Sequence, residues 1–191
     1  HVPRMFSGGQ FSIALAGAMV MLRAMIAKRL WFFALVLLIL APASEALADC
    51  TDPPAPGVKW RRCIFDRLEF RNVDLTGAEL RDASFYRADL SESRFEKVKA
   101  FRAKFVNAVL AGASFPEADL READMTKADL SGADLATADL RRARLFEADL
   151  RGANLTKAKL EGADLTNADL SGATWTDGER VCGEGSIGRC N

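Results

Sequence analysis

A period of five residues governs the chain from Cys63 to Asp177. Taking every fifth residue from Phe65 to Trp175 gives 23 positions, of which 14 are Leu and 6 are Phe. Only Ala100, Met125 and Trp175 depart from this. Two residues before each of them lies a second constant position, and 18 of these 23 are Ala. The others are Cys63, Leu68, Val73, Ser93 and Val98. The frame does not slip over 115 residues. Its plainest form stands in Ala128-Asp129-Leu130-Ser131-Gly132 and Ala163-Asp164-Leu165-Thr166-Asn167.

Such a period suits neither the α-helical repeat of about 3.6 nor the strict alternation of a strand. A unit this short cannot bury its apolar side alone, so it has to stack on its neighbours. One small and one large inward residue per step suit a chain that turns a corner at every repeat. The motif resembles that of the pentapeptide-repeat family, with Ala two residues before the centre, Asp or Asn just before it, and Leu or Phe at it. That resemblance implies an all-β fold, a right-handed quadrilateral β-helix with four repeats per coil and about six coils in all. The domains then run 1–48 (upstream segment and signal peptide), 49–62 (N-terminal loop and cap), 63–177 (repeat) and 178–191 (C-terminal cap). The segment from Asp177 to Cys190 is similar to the cysteine-bearing tail of exported bacterial members of the family.

The formally neutral total charge hides an uneven division. Residues 1–48 hold Arg4, Arg23, Lys28 and Arg29 against Glu45 alone, which leaves 22 basic and 25 acidic residues from Asp49 onward. From Met25, the basic pair Lys28-Arg29, the apolar run Leu30–Leu40 and the Ala46-Leu47-Ala48 site read as a cleavable export signal. The apolar run is shorter than the about 20 residues that cross a bilayer, so a membrane is expected only through an uncleaved signal. The expected compartment is the periplasm or the extracellular space. A slightly acidic chain without a basic stripe also speaks against nucleic acid as a partner.

Four cysteines flank the repeat, and an exported chain will oxidise them. With four repeats per coil and strands about 4.8 Å apart, the two ends lie roughly 27 Å from each other. A disulfide needs Cα atoms within about 7 Å. The expected pairs are therefore Cys50–Cys63 and Cys182–Cys190, one at each end.

The same coil length stacks residues 20 apart. Inward centres then form columns such as Phe65, Phe85, Phe105, and aromatics gather in the N-terminal half. Ala100, the one small centre, has Val98 nearby to fill part of its space. Outward, one side reads Glu69, Asp89, Val109, Asp129, Asp149, Asp169, and the opposite side carries Arg81, Arg102, Arg121, Arg141 and Arg142. The acidic residues are expected to support the turns. Tyr86, Val106 and Phe146 recur on one line, with Phe101 at the neighbouring edge, and make the candidate interaction surface.

The only histidine is His1, ahead of the predicted cleavage site. The repeat has no glycine-rich phosphate loop, nucleophile motif or metal-ligand cluster, so neither catalytic residues nor a cofactor or metal are expected. The sequence reads as an exported, non-enzymatic structural or protein-binding module. Its partner is an unnamed protein or a second copy, met through a face of the β-helix. The alternative that the resemblance offers is a DNA mimic acting on DNA gyrase, against which the export signal and near-neutral charge both stand.

Overall fold

The computed structural model describes residues 50–191, and the signal segment read at 1–48 lies outside them. Twenty parallel bridges join residue n to residue n+20, from Lys59–Glu79 to Asn154–Thr174. One coil is therefore 20 residues, or four pentapeptides, and the chain winds a four-sided β-helix. Each bridge is a single residue wide, so every side is a short segment between two-residue turns. We number the faces by their inward centres: the first holds Phe65, Phe85, Phe105, Met125, Leu145 and Leu165, one for each of coils 1–6. The second starts at Phe70, the third at Leu75 and the fourth at Trp60. Coiling begins at Lys59, ahead of the Cys63 boundary read from the motif, because Val58 and Trp60 already fill inward positions.

A single repeat shows how five backbone N–H groups are all satisfied. The Leu130 and Gly132 N–H groups donate up the axis, to Asp149 O (2.7 Å) and Arg151 O (2.8 Å). Asp134 N–H donates down the axis to Ala113 O (2.9 Å), and Ala133 N–H closes the turn on Leu130 O (3.0 Å). Ser131 N–H is left without a backbone acceptor, and the Asp129 carboxylate takes it at 3.0 Å. The same contact recurs from Asp89 to Ser91, Asp124 to Thr126, Asn154 to Thr156 and Asp169 to Ser171. Hence the Asp or Asn of the motif: it supplies the one acceptor that coil pairing lacks.

The second turn residue is left-handed at every step from Gly57 to Gly172, at φ 65° in Gly132 and 57° in Lys127. A closed turn with positive φ at its third residue is type II, which favours Gly or Asn there. Thr137 takes this conformation at φ 61° although it is β-branched. Its hydroxyl accepts Glu117 N–H at 3.1 Å, a contact between coils that the shape of Thr otherwise opposes.

The interior follows the columns. Phe65, Phe85 and Phe105 stack with ring centres 5.4 and 5.2 Å apart, and Phe95 stacks on Phe115 at 4.5 Å. Phe95 and Phe105 also meet edge to face at 6.3 Å within one coil, flanking the fully buried Ala100 in sequence. Two rings in one coil, together with the buried Val98, account for the small centre better than Val98 alone. Ser93 departs from Ala for a polar reason: its hydroxyl donates to Phe70 O and accepts Val73 N–H, filling a turn near the open first coil.

The two ends are closed differently. Trp60 is fully buried, packs on Phe65 with tilted rings 4.3 Å apart and donates its indole N–H to Asp52 O, which ties the N-terminal loop across the opening. Cys50 is joined to Cys63 there, and Cys182 to Cys190 at the other end. The tail runs antiparallel to the last coil, bridging Thr174 to Val181 and Asp169 to Ile187. It covers the second and third faces, and Leu160 and Leu165 on the other two stay half-buried.

Two outcomes follow from this packing. Ala100→Leu will overfill the coil and destabilise the protein by about 1–3 kcal/mol in urea unfolding, despite adding apolar volume. Thr137→Asn will relieve the left-handed strain and raise stability by about 1 kcal/mol in the same measurement.

Candidate interaction face

The first face carries three outward lines. Asp66, Tyr86, Val106, Thr126, Phe146 and Thr166 form the line just after the inward centres. Ile64, Ser84, Lys104, Asp124, Arg144 and Asp164 form the middle line. The third comes from the preceding turns: Arg62, Asp82, Arg102, Glu122, Arg142 and Gly162. Coil geometry alone puts each set in register, because every bridge repeats at 20 residues.

Of the candidate surface residues, Tyr86, Val106 and Phe146 do share a line, and all three are half-buried. Thr126 separates Val106 from Phe146. Tyr86 is held from below, its backbone N–H bonded to the Asp66 carboxylate at 3.1 Å, and the Arg87 guanidinium lies 5.1 Å from its ring centre. Phe101 stands apart, on the corner between the fourth and first faces. There Arg81 and Arg121, one coil to either side, approach its ring at 5.2 and 5.7 Å. These two cations cover its faces and leave it half-buried. Phe101 thus works first as a spacer in an arginine row.

Sequence reasoning missed Ile64, which is 73% exposed on the same face. Its signal was present: it occupies the position where Asp stands elsewhere in the repeat. The tail adds two more exposed apolar residues, Val181 and Ile187, which no repeat pattern marks.

The expected polarity across the rod is muted by local pairing. On the second face Arg71 pairs with Asp89, and Arg151 with Asp149. On the arginine side, Arg121 and Arg141 bind Asp119 and Asp139 of their own repeats through two nitrogens each. These guanidinium contacts, helped by the Arg121 and Arg141 backbone N–H groups, hold Asp119 and Asp139 below the usual carboxylate range. Asp149 is lowered in the same way by Arg151, and Asp164 by the side chain and backbone of Thr166. The depressions along the corner are shallow and lined by charge, among them Arg121, Glu122, Arg141 and Glu161 beside Phe101. Among the described residues, no group of three or more His, Cys, Asp or Glu is placed to hold a metal ion. Nor does any described helix have the length and apolarity to cross a membrane.

Eight copies of the motif described as pentapeptide repeats match residues 61–99, 103–142 and 143–174. This chain belongs to the pentapeptide-repeat family. No curated protein matches it. Among solved structures, this pentapeptide-repeat chain is similar to HetL from the cyanobacterium Nostoc sp. strain PCC 7120, a protein involved in heterocyst differentiation regulation. That match has 29% identity and a TM-score of 0.43, and covers 64% of each chain. A trypsin-treated QnrB1, a plasmid-mediated fluoroquinolone resistance protein, matches at 23% identity and a TM-score of 0.39, over 63% of this chain and 71% of its own. Rfr23 from the cyanobacterium Cyanothece 51142 matches at 26% identity and a TM-score of 0.30, over 62% and 90%. The match spans just under two thirds of the length of HetL.

The lowered carboxylates set the acid limit of the fold. Each binds its proton less readily folded than unfolded, so its stabilisation is complete above the ordinary value of 3.8 and is lost as pH falls through the lower folded value. Melting temperature should stay level from pH 7 to about pH 5 and fall steeply below about pH 4. A scanning-calorimetry series over that range measures it.

Proposed function

We propose that the chain is a non-enzymatic, exported protein-binding module that works through its first face. The observation carrying this reading is the line of Tyr86, Val106 and Phe146 on a face whose neighbouring line is densely charged. Apolar anchors beside charge are the usual make-up of a protein interface. Aromatic side chains also tend to dominate its energy. Ile64 extends the apolar content of the face at its N-terminal end. Export is supported by the disulfide at each end and by the lack of any free cysteine among the described residues. Periplasm and extracellular space both fit.

The DNA-mimic alternative has less behind it. Its acidic stripe is broken at Val109, and Arg71 and Arg151 lie against two of its carboxylates. The corner opposite is rich in arginine, which a surface imitating duplex phosphate would avoid.

The test is the triple variant Tyr86→Ser, Val106→Thr, Phe146→Ser, assayed for capture of proteins from the exported fraction of the source cell. Capture should weaken at least tenfold, with each site costing only about 0.5 kcal/mol of folding stability. Unchanged capture together with a large drop in stability would assign the strip to packing within the chain and end the interface reading.

A further inference from the structure

The charges of the first face alternate by coil. Its middle line and the line from the preceding turns put two side chains side by side in each coil. Coil 2 presents Asp82 with Ser84, coil 3 Arg102 with Lys104, coil 4 Glu122 with Asp124, and coil 5 Arg142 with Arg144. All but Ser84 line one shallow groove running along the rod. Along these two lines the groove is banded negative, positive, negative, positive, at intervals of about 4.8 Å, while Arg62 and Arg81 also line it and Arg81 lies 3.6 Å from Asp82.

Alternation along the axis is not a rule of this rod. The second face repeats Asp129, Asp149 and Asp169 in consecutive coils, and the corner repeats Arg121 and Arg141. Like charges stack there beside partners in their own repeats, Arg121 on Asp119, Arg141 on Asp139 and Arg151 on Asp149, whereas the first face pairs along the axis. Within the chain, Arg102 reaches Asp82 at 3.2 Å, Arg142 reaches Glu122 at 3.9 Å and Arg144 reaches Asp124 at 3.4 Å. These arginines remain more than half exposed, and Lys104 makes no ion pair among the described residues.

We infer that the occupant of this face is a second copy of the same chain, packed antiparallel about a two-fold axis that crosses the rods between coils 3 and 4. Turning the copy end over end brings coil 3 opposite coil 4 and coil 2 opposite coil 5. Arg102 then faces Glu122 of the second copy, Lys104 faces Asp124, and Asp82 faces Arg142. The remaining line follows without adjustment: Tyr86 comes opposite Phe146, and Val106 opposite Thr126. At the ends, Arg62 and Ile64 meet Gly162 and Asp164, again with no like charges in contact. Every contact is made twice, as an isologous interface requires. A parallel pair in register would set each band against itself, so the charge pattern fixes the direction as well as the partner. Three lines over six coils offer about 18 side chains per copy, slightly fewer than the about 20–30 of a stable interface, which points to a dimer of moderate affinity.

The inference rests on the reading of the first face as an interaction surface, and charge exchange separates the two. Variant one is Arg102→Glu with Lys104→Glu; variant two is Glu122→Arg with Asp124→Lys. The purified wild-type protein, disulfides intact, should sediment as a dimer that dissociates with rising salt. Each variant alone sets coil 3 against coil 4 with like charge, and should associate at least about a hundredfold more weakly. Mixing the two restores opposite charge at both contacts, so the mixture should form a heterodimer by sedimentation velocity. That rescue also establishes that both variants fold. Dimers that persist in each variant alone, or a mixture that stays monomeric, would overturn the inference. A monomeric wild type that still captures an exported protein through Tyr86, Val106 and Phe146 would remove the second copy as occupant while leaving the binding face in place.

Discussion

One backbone group decides the form of this protein. Of the five N–H groups in each repeat, two donate up the axis, one donates down it and one closes the turn, which leaves the first turn residue unpaired. In Asp129 and its equivalents a carboxylate or amide oxygen two residues earlier accepts that N–H. Backbone polar groups that lose water without a partner are costly, so a rod with every turn bare would carry the penalty once in each repeat. The acceptor's short reach is why Asp and Asn serve best. Where Ser or Thr follows, as at Ser131 and Thr156, its hydroxyl donates to the same oxygen and fixes the carboxylate or amide further.

That dependence explains which parts of the fold were legible. Inward residues and turn acceptors repeat in sequence because they repeat in space, so the core columns could be written down before any coordinates. The local disulfides belong to the same class, since rod length alone forbids a bridge from end to end. The tail was not legible in this way. Its antiparallel pairing through Val181 and Ile187 obeys no period, and it covers two faces rather than four. The coil's early start at Lys59 was legible in part, since Trp60 already stands on the five-residue frame with Val58 at the small position, although neither residue matches the motif. Ala100 was visible as an exception, but its cause was not. The edge contact of Phe95 with Phe105 depends on ring orientation, which a column of letters does not carry.

For the candidate face, sequence located residues and missed relations. Tyr86, Val106 and Phe146 were placed on one line by arithmetic alone. Phe101 was grouped with them as an apolar neighbour, whereas Arg81 and Arg121 enclose its ring and turn it toward the arginine corner. Ile64 was overlooked because its position belongs to the polar motif, which masks an apolar exception. The arginine and aspartate sides were both legible as stripes, yet their mutual neutralisation was not. Arg121 folds back on Asp119 two residues away, a choice made by side-chain rotamers.

A solenoid of constant coil length converts sequence spacing into surface spacing with no loop geometry in between. Substitution at an outward position other than a turn acceptor such as Asp124 changes the pattern displayed without disturbing the hydrogen bonds that hold the rod, because those bonds use backbone and turn acceptors only. The surface can therefore vary almost independently of the fold. Such a scaffold is poor at building a deep pocket, since its faces are flat and its interior is filled to the axis by Leu and Phe. It is well suited to recognition by pattern along a line. The contrast between the first and second faces follows from this freedom. Both obey the same coil rules, yet one repeats a single charge and the other alternates it. The backbone imposes neither choice: side chains do, the first face pairing from coil to coil, as Arg102 does with Asp82 and Arg144 with Asp124, and the second within a repeat, as Arg151 does with Asp149.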